Sequence, residues 1–324
     1  MKRIELSAPG PAEAMKLIDL PDPAPAEGQC VVRVEAAGVN FIDVYHRGGV
    51  YPLPAPIRPG REGAGVVEAV GAGVTDVKVG ERVAWCDQQG SYATHVVAKA
   101  ERLVPVPEGV SARDAAAVML QGMTAHYLAY DTFPLRDGHA CLVHAAAGGV
   151  GLLLCQMASK LGARVFGTTS TEAKAALARE NGADEVFVTS EGDFFPAVKE
   201  FTYGKGVHVA YDGVGLDTWE RSLTSLRPRG MLVLFGQSSG VVPPIDPWRL
   251  MHQGSVFLTR PSLPHYTAER GELLARAGAV LGAVGRGELK VHVGGSFPLS
   301  EAHAAHAMLE GRRSTGKVLL DCAV

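Results

Sequence analysis

The sequence predicts an α/β protein of two domains, one β-rich and one built on a doubly wound parallel sheet. Three observations predict it. The chain has 324 residues, more than the ~250–300 at which a single hydrophobic core stops growing. The part before Ser111 carries short β-branched runs separated by Gly and Pro. From His139 onward, apolar runs alternate with helix-length segments around a glycine-rich turn, the pattern of βαβ units.

In the first part, CVVRVEAAGV, GAGVVEAVGAGV and ERVAW read as strands. PDPAPAEG and YPLPAPIRPGREG read as loops, because proline fixes φ and removes a ladder donor. SARDAAAVMLQGMTAHYLAY then offers a Ser cap and alanine-rich helical spacing. Next come the strand HACLVHA, the helix GLLLCQMASKLG ended by Gly162, and the strand ARVFGTT. The helix TEAKAALARENG follows, stopped at Asn-Gly, then the strand DEVFVT and the helix FFPAVKEFTYG. VHVAYD reads as a strand, LDTWERSLTSLRPRG as a helix, and MLVLFG and SVFLTR as the last two of six strands. Six strands match a doubly wound nucleotide-binding sheet. From Leu263 the pattern returns to helix, strand VHVGGSF, helix SEAHAAHAMLEGR and strand KVLL. This tail is expected to rejoin the first domain, giving 1–121 with 263–324 and, between them, 122–262.

Composition narrows the function classes. Apolar residues are 47%, charged residues 20% and the net charge is −3, as in ordinary soluble globular chains. No basic stripe with interleaved aromatics appears, so nucleic acid is not an expected partner. MKRIELSAPG has cations but no apolar core behind them, unlike a secretory signal. The longest apolar stretch, residues 142–158, contains His144, Gln156 and three glycines, too short and polar for a membrane span. Cys30, Cys86, Cys141, Cys155 and Cys322 form no C-x-x-C pair. They are expected as reduced, small hydrophobic residues of a cytoplasmic protein.

Ala146-Ala147-Gly148-Gly149-Val150-Gly151 reads as G-x-G-x-x-G with alanine in the first place. Gly148 lets backbone approach a pyrophosphate, Gly151 lets the helix pack close to the sheet, and the helix N-terminus faces the phosphates. The alternative is a tight strand–helix turn without a ligand. The preceding apolar strand, the following helix and the βαβ series are the context that favours a dinucleotide. An NAD-specific site places Asp or Glu about 20 residues on. Here Thr168-Thr169-Ser170 stand instead, with Lys174 one turn further. Hydroxyls, a helix N-terminus and a cation suit a 2′-phosphate, so the missing acid points to NADPH. The alternative for Lys174 is a solvated lysine beside Glu172.

GVNFIDVYHRGGVYP, GREGAGVVEAVGAGV, VHAAAGGVG and YDGVGLDTWERSL together resemble the quinone oxidoreductases related to zeta-crystallin. These are zinc-free members of the medium-chain dehydrogenase/reductase superfamily, and the likeness extends to TRPSL and RRSTGKVLL. The resemblance implies a GroES-like catalytic domain from both chain ends, an inserted Rossmann domain, NADPH and a homodimer. Zinc-bearing relatives carry Cys where Asn40 stands, His where Arg61 stands and Cys near Gln121-Gly122, plus four clustered cysteines. Arg cannot serve as a zinc ligand, so no metal is expected. By resemblance, Asn40, Tyr45 and Tyr51 are the catalytic group, Asn40 bonding the nicotinamide end and the tyrosines lining the substrate cleft between the domains. The alternatives are a turn residue for Asn40 and half-buried packing for the tyrosines. Thr124, Ala147, Gly148, Gly149, Val150, Phe235, Ser238 and Arg312 are the further implied cofactor contacts, with Thr168, Ser170 and Lys174. Thr189 stands where relatives often carry a Tyr on the 2′-phosphate side, a departure from the pattern.

His303 and His306 share a helix face but have no acidic or thiol partner nearby, so they read as surface or packing residues. Asp212, at a strand's carboxyl end, reads as structural. The leading function is NADPH-dependent quinone reduction. The alternatives are reduction of α,β-unsaturated carbonyls and, in another class, a crystallin-like structural or RNA-binding role. The homodimer is expected through the edge strand around Ser255–Arg260, whose open N–H and C=O groups would pair with a symmetry mate.

Overall fold

A hairpin of Lys2–Glu5 (β1) and Lys16–Asp19 (β2) opens the chain in the computed structural model, which describes residues 1–323. Then follow Gln29–Val39 (β3), Phe41–Arg47 (α1), Glu62–Val70 (β4), Arg82–Cys86 (β5), His95–Lys99 (β6) and Val104–Pro105 (β7). Helix α2 is Ala112–Tyr127, with the Ser111 hydroxyl accepting the Asp114 N–H at 3.0 Å as its cap. The next alternation is Ala140–Val143 (β8), Gly149–Lys160 (α3), Arg164–Thr169 (β9), Glu172–Glu180 (α4), Glu185–Val188 (β10) and Phe195–Phe201 (α5). It continues through Val207–Asp212 (β11), Trp219–Thr224 (α6), Leu226–Leu234 (β12), Pro247–His252 (α7) and Phe257–Thr259 (β13). Arg270–Gly285 (α8), Val293–Pro298 (β14), Ala302–Glu310 (α9) and Lys317–Asp321 (β15) end the described chain.

Two units result, Met1–Met123 with the chain from Thr267 onward, and Thr124–Tyr266. Both limits fall slightly later than 121/122 and 262/263. In the first unit seven strands form one sheet in the order β14-β15-β3-β4-β5-β7, with β6 also on β3. The tail therefore pairs with the N-terminal part. Val318 lies opposite Val39, and Gly38 lies opposite Glu62. This register places the end of β3 and the starts of β4 and β15 side by side. The core beneath holds Val34, Val67, Trp85, Leu103 and Leu320, and the Trp85 indole N–H is satisfied by Ser91 Oγ at 2.9 Å.

In the second unit the order is β10-β9-β8-β11-β12-β13, all parallel. β8 is buried throughout, as a central strand covered on both faces must be. The strand order reverses between β8 and β11, where ligands bind at the carboxyl ends of such sheets. One element differs from expectation. The helix read through LDTWERSLTSLRPRG stops at Thr224, and LRPRG is the start of β12. Pro228 cannot continue a helix, and Arg229 takes the left-handed region (φ 61°) where the pairing with β11 slips register. The edge strand SVFLTR keeps only Phe257–Thr259 in the ladder.

Candidate active site

Of the sequence-predicted residues of the first unit, Asn40, Tyr45 and Tyr51 follow the end of β3 along the chain, and Arg312 does not. Asn40 is buried and precedes α1, its backbone N–H donating to Asp43 Oδ2 at 2.9 Å. Its side-chain Nδ2 donates to Glu62 Oε2 at 2.9 Å and to the Gly38 carbonyl at 3.3 Å. Its Oδ1 accepts from Lys317 Nζ at 2.8 Å and from Gln121 Nε2 at 3.4 Å. A primary amide offers two donors and two acceptor positions, so in this arrangement all four are taken. The neighbours also fix which end of the amide is which, since Lys317 can only donate and a carboxylate only accept. In this structure the Asn40 amide is thus fastened on four protein partners.

Lys317 and Glu62 form the base of this cluster. Lys317 Nζ donates to Glu62 Oε2 at 2.5 Å, with the two side chains 2% and 0% exposed. The other carboxylate oxygen, Oε1, accepts the Leu120 N–H at 2.6 Å. Gly38 makes room for the pair, because a Cβ there would overlap Glu62 Oε2 and sit 2.8 Å from Lys317 Cε. Gln121 Oε1 and Asp43 Oδ1 are buried beside it with no partner.

α1 carries the aromatic pair. The Tyr45 and Tyr51 rings meet edge to face at 5.4 Å between centroids. His46 fixes the turn between them, its Nδ1 3.1 Å from the Tyr51 carbonyl and its Nε2 3.1 Å from Arg61 Nη1. A guanidinium only donates, so Nε2 is the accepting nitrogen and Nδ1 carries the proton. Burial, more than the nearby Arg61 charge, holds the His46 imidazolium below its usual range. Arg61 in turn is paired with Asp87.

A second string of hydrogen bonds runs from Asp43 outward. The Tyr92 hydroxyl donates to Asp43 Oδ2 at 3.1 Å and lies 3.1 Å from His306 Nε2. His306 Nδ1 is 3.4 Å from Arg47 Nη1, and Arg47 grips Glu310 through both nitrogens at 2.7 and 2.8 Å. Burial pushes the Asp43 carboxyl up to about 6, against the Asn40 N–H, Lys317 and Tyr92, which pull it down. Burial, with Arg47 adding to it, pushes His306 down to about 3. His306 is thus buried and held between Tyr92 and Arg47.

In the second unit the glycine turn lies between β8 and α3, with Gly148 as the N-cap and Gly149 and Val150 in the first helical turn. A Cβ on Gly151 would overlap the Ala145 carbonyl oxygen and sit 2.8 Å from Ala146 Cα. Only glycine lets the helix start this close to the loop. Ala147 is buried behind the turn, and Thr124 is buried on α2. Phe235 lies against Gly213, whose Cβ would be 2.9 Å from the ring, and the Ser238 N–H donates to the Gly213 carbonyl at 3.2 Å. Ser170 is exposed after β9, and Lys174 is half-buried on α4 with its backbone N–H on the Thr171 hydroxyl at 3.4 Å. Thr189 hydrogen-bonds the Thr169 carbonyl at 3.1 Å. Arg312 is exposed after α9, in the first unit.

Thr168 is 2% exposed, and its hydroxyl lies 2.8 Å from His144 Nδ1. His144 Nε2 meets Ser222 Oγ at 2.8 Å, and Ser222 and Thr218 donate to Asp212 at 2.7 and 2.8 Å. The Thr168 hydroxyl is therefore part of a buried network. His144 lies 4.0 Å from Asp212, but burial outweighs that carboxylate and holds the imidazole below its usual pKa, so the contact is not an ion pair. Asp212 is structural.

Sequence reasoning missed Glu62, Lys317, Asp43, His46, Tyr92 and His144 as site-building residues. The available signal was charge in apolar company: Glu62 opens GAGVVEAV, and Lys317 opens KVLL. All five cysteines are buried and unpaired. Among the described residues no group of three or more His, Cys, Asp and Glu side chains is placed to hold a metal ion, and no helix is long and apolar enough to cross a membrane.

Residues 26–108 match the family model for the alcohol dehydrogenase GroES-like domain, and residues 149–265 match that of the zinc-binding dehydrogenases. The chain is 45% identical to a quinone oxidoreductase of Pseudomonas aeruginosa over 98% of this chain and 99% of that protein. It is 45% identical to a 2-haloacrylate reductase of Burkholderia over 92% of each. The crystal structure of an Escherichia coli quinone oxidoreductase complexed with NADPH superposes with a TM-score of 0.96 at 40% identity, over 99% of this chain and all of that one.

Proposed function

Because the chain belongs to the quinone oxidoreductase family of the medium-chain dehydrogenases/reductases, we propose that it reduces quinones with NADPH. The observation that carries this reading is the start of α3. Its first-turn N–H groups have no partner within the helix, and Gly151 brings them against the loop. That is a cradle for a pyrophosphate. Ser170 and Lys174, with no carboxylate at positions 168–170 and Glu172 paired with Arg179, favour the 2′-phosphate. NADPH supplies the hydride when bound.

The zinc that one matching domain name implies does not fit the residues present. Arg61 has no lone pair to give, and the Asn40 amide is spent on four protein partners. A quinone is already a strong acceptor, so its carbonyls need little polarising. Tyr45 and Tyr51 hold the ring and one quinone oxygen, and the rate comes mainly from proximity and orientation. Water can supply the proton that completes the hydroquinone, a weak base. The 2-haloacrylate reductase among the relatives favours a second reading, hydride delivery to an α,β-unsaturated carbonyl, where the carbanion must be protonated.

Steady-state NADPH consumption with 1,4-benzoquinone against a 2-alkenal separates these readings. Quinone turnover is expected to dominate, and turnover with neither acceptor would overturn both. A charge-assisted contact contributes ~1.5–3 kcal/mol, so NADPH should bind about 10–150-fold tighter than NADH. Equal dissociation constants by fluorescence titration would remove the cofactor assignment. Five buried, unpaired cysteines suit a reducing compartment such as the cytoplasm. The sheet edge at β13, with Phe257 57% exposed, supports a homodimer closed by strand pairing. Light scattering should give twice 34.1 kDa, and a single-chain mass at micromolar concentration would refute it.

A further inference from the structure

We infer that the buried Glu62–Lys317 ion pair is a positioning device for the reduction site, with Lys317 the positioning residue. This rests on the quinone reductase reading for its consequence, but not for its geometry. One carboxylate and one ammonium fasten four separate stretches of chain. Glu62 Oε2 holds Asn40 Nδ2 and Lys317 Nζ at 2.9 and 2.5 Å, and Glu62 Oε1 holds the Leu120 N–H at 2.6 Å. Lys317 Nζ adds the 2.8 Å bond to Asn40 Oδ1. The end of β3, the start of β4, the middle of α2 and the start of β15 are thereby held at one point.

Asn40 is where this fastening reaches the chemistry. Its amide is fixed in one orientation by a donor on one side and acceptors on the other. Its backbone N–H and Asp43 start α1, which carries Tyr45 toward its edge-to-face contact with Tyr51. Remove the ammonium and two things follow. Glu62 is left as a buried carboxylate without its cation, and Asn40 Oδ1 loses its shorter donor. The amide can then turn, and the first turn of α1 loses its reference point. A displacement of about 1 Å at the reacting groups costs up to about 100-fold in rate. The pyrophosphate cradle of α3 belongs to the other unit, so NADPH affinity is a separate readout.

The test uses the full-length protein with Lys317→Met, Lys317→Arg, Asn40→Ala, and the double variants Lys317→Met/Asn40→Ala and Glu62→Gln/Lys317→Met. The last removes both charges together and so folds even where a lone buried carboxylate prevents it. Without cofactor, hydrogen exchange of the Asn40 side-chain amide and the Leu120 backbone amide should accelerate at least about tenfold in Lys317→Met and in the charge-balanced variant. With 1,4-benzoquinone, kcat/KM should fall about 10- to 100-fold in both, while the NADPH dissociation constant moves less than about twofold. Lys317→Arg should recover part of the loss. Lys317→Met/Asn40→Ala should be no slower than Asn40→Ala alone, because residues acting through one another do not add. Unchanged exchange, additive losses, or a charge-balanced variant within about twofold of the parent overturns the inference. A parent that turns over no quinone overturns the functional reading instead, and the exchange measurements still decide the fastening.

Discussion

The glycine turn of the second unit and the Asn40 cluster of the first are built in opposite ways. The turn spans six consecutive residues and works through backbone: missing Cβ atoms and open N–H groups. The cluster draws on Gly38, Asn40, Glu62, Leu120, Gln121 and Lys317 and works through side chains. A backbone cradle tolerates change in what surrounds it but nothing that adds a Cβ at its tightest point. A side-chain cluster tolerates many neighbours but no broken pairing. Disturbing each region therefore tests the proposed binding and the proposed positioning separately.

The largest effect is expected at the turn. Gly148 has φ −80° and ψ 176°, extended backbone open to any residue, and its Cβ would be 3.1 Å from the Ala145 carbonyl. Gly148→Val should leave the protein folded while filling the space before α3, abolishing NADPH binding and turnover. Retained cofactor affinity by fluorescence titration would mean that the turn is not a cradle.

The next effect sharpens the contrast through pH. Asp43 has its folded-state pKa raised from 3.8 to about 6. The folded state then binds the proton more tightly, so this group favours folding at low pH and loses that advantage as pH rises toward 6. The shift corresponds to about 3 kcal/mol, an order-of-magnitude figure. His306 is lowered from 6.5 to about 3, so its neutral form favours folding above 6.5 and costs stability as pH falls toward 3. The two share the Tyr92 hydroxyl and oppose each other between about pH 4 and 6. Relative to the parent, Asp43→Asn should gain stability as pH rises through that window, and His306→Gln should gain as pH falls. Thermal unfolding from pH 4.5 to 6.5 checks the signs. Slopes of the same sign would break the account.

The smallest effect is expected at Tyr45. Tyr45→Phe keeps the ring contact with Tyr51 and removes one hydroxyl, so a loss of several-fold, mostly in KM, is expected if orientation dominates. A fall in kcat of about 10³ would instead mark obligatory proton donation and favour the enone-reductase reading.

By itself the sequence determined what depends on neighbours along the chain. Periodicity and turn residues placed nearly every strand and helix from His139 to Arg260, and the six-residue turn was legible because its tight geometry is a property of local backbone. It erred at LRPRG, where Pro228 and a register slip made strand out of expected helix, and it gave no sign that the Thr168 hydroxyl meets His144. Tertiary structure alone decided the Asn40 cluster. Glu62 and Lys317 are 255 positions apart, and only the β15-β3-β4 order brings their charges together. A single lysine or glutamate in an apolar run carries no sign of its partner. Its meaning comes from burial, where an ion without its counter-ion, or a polar group without a partner, costs free energy.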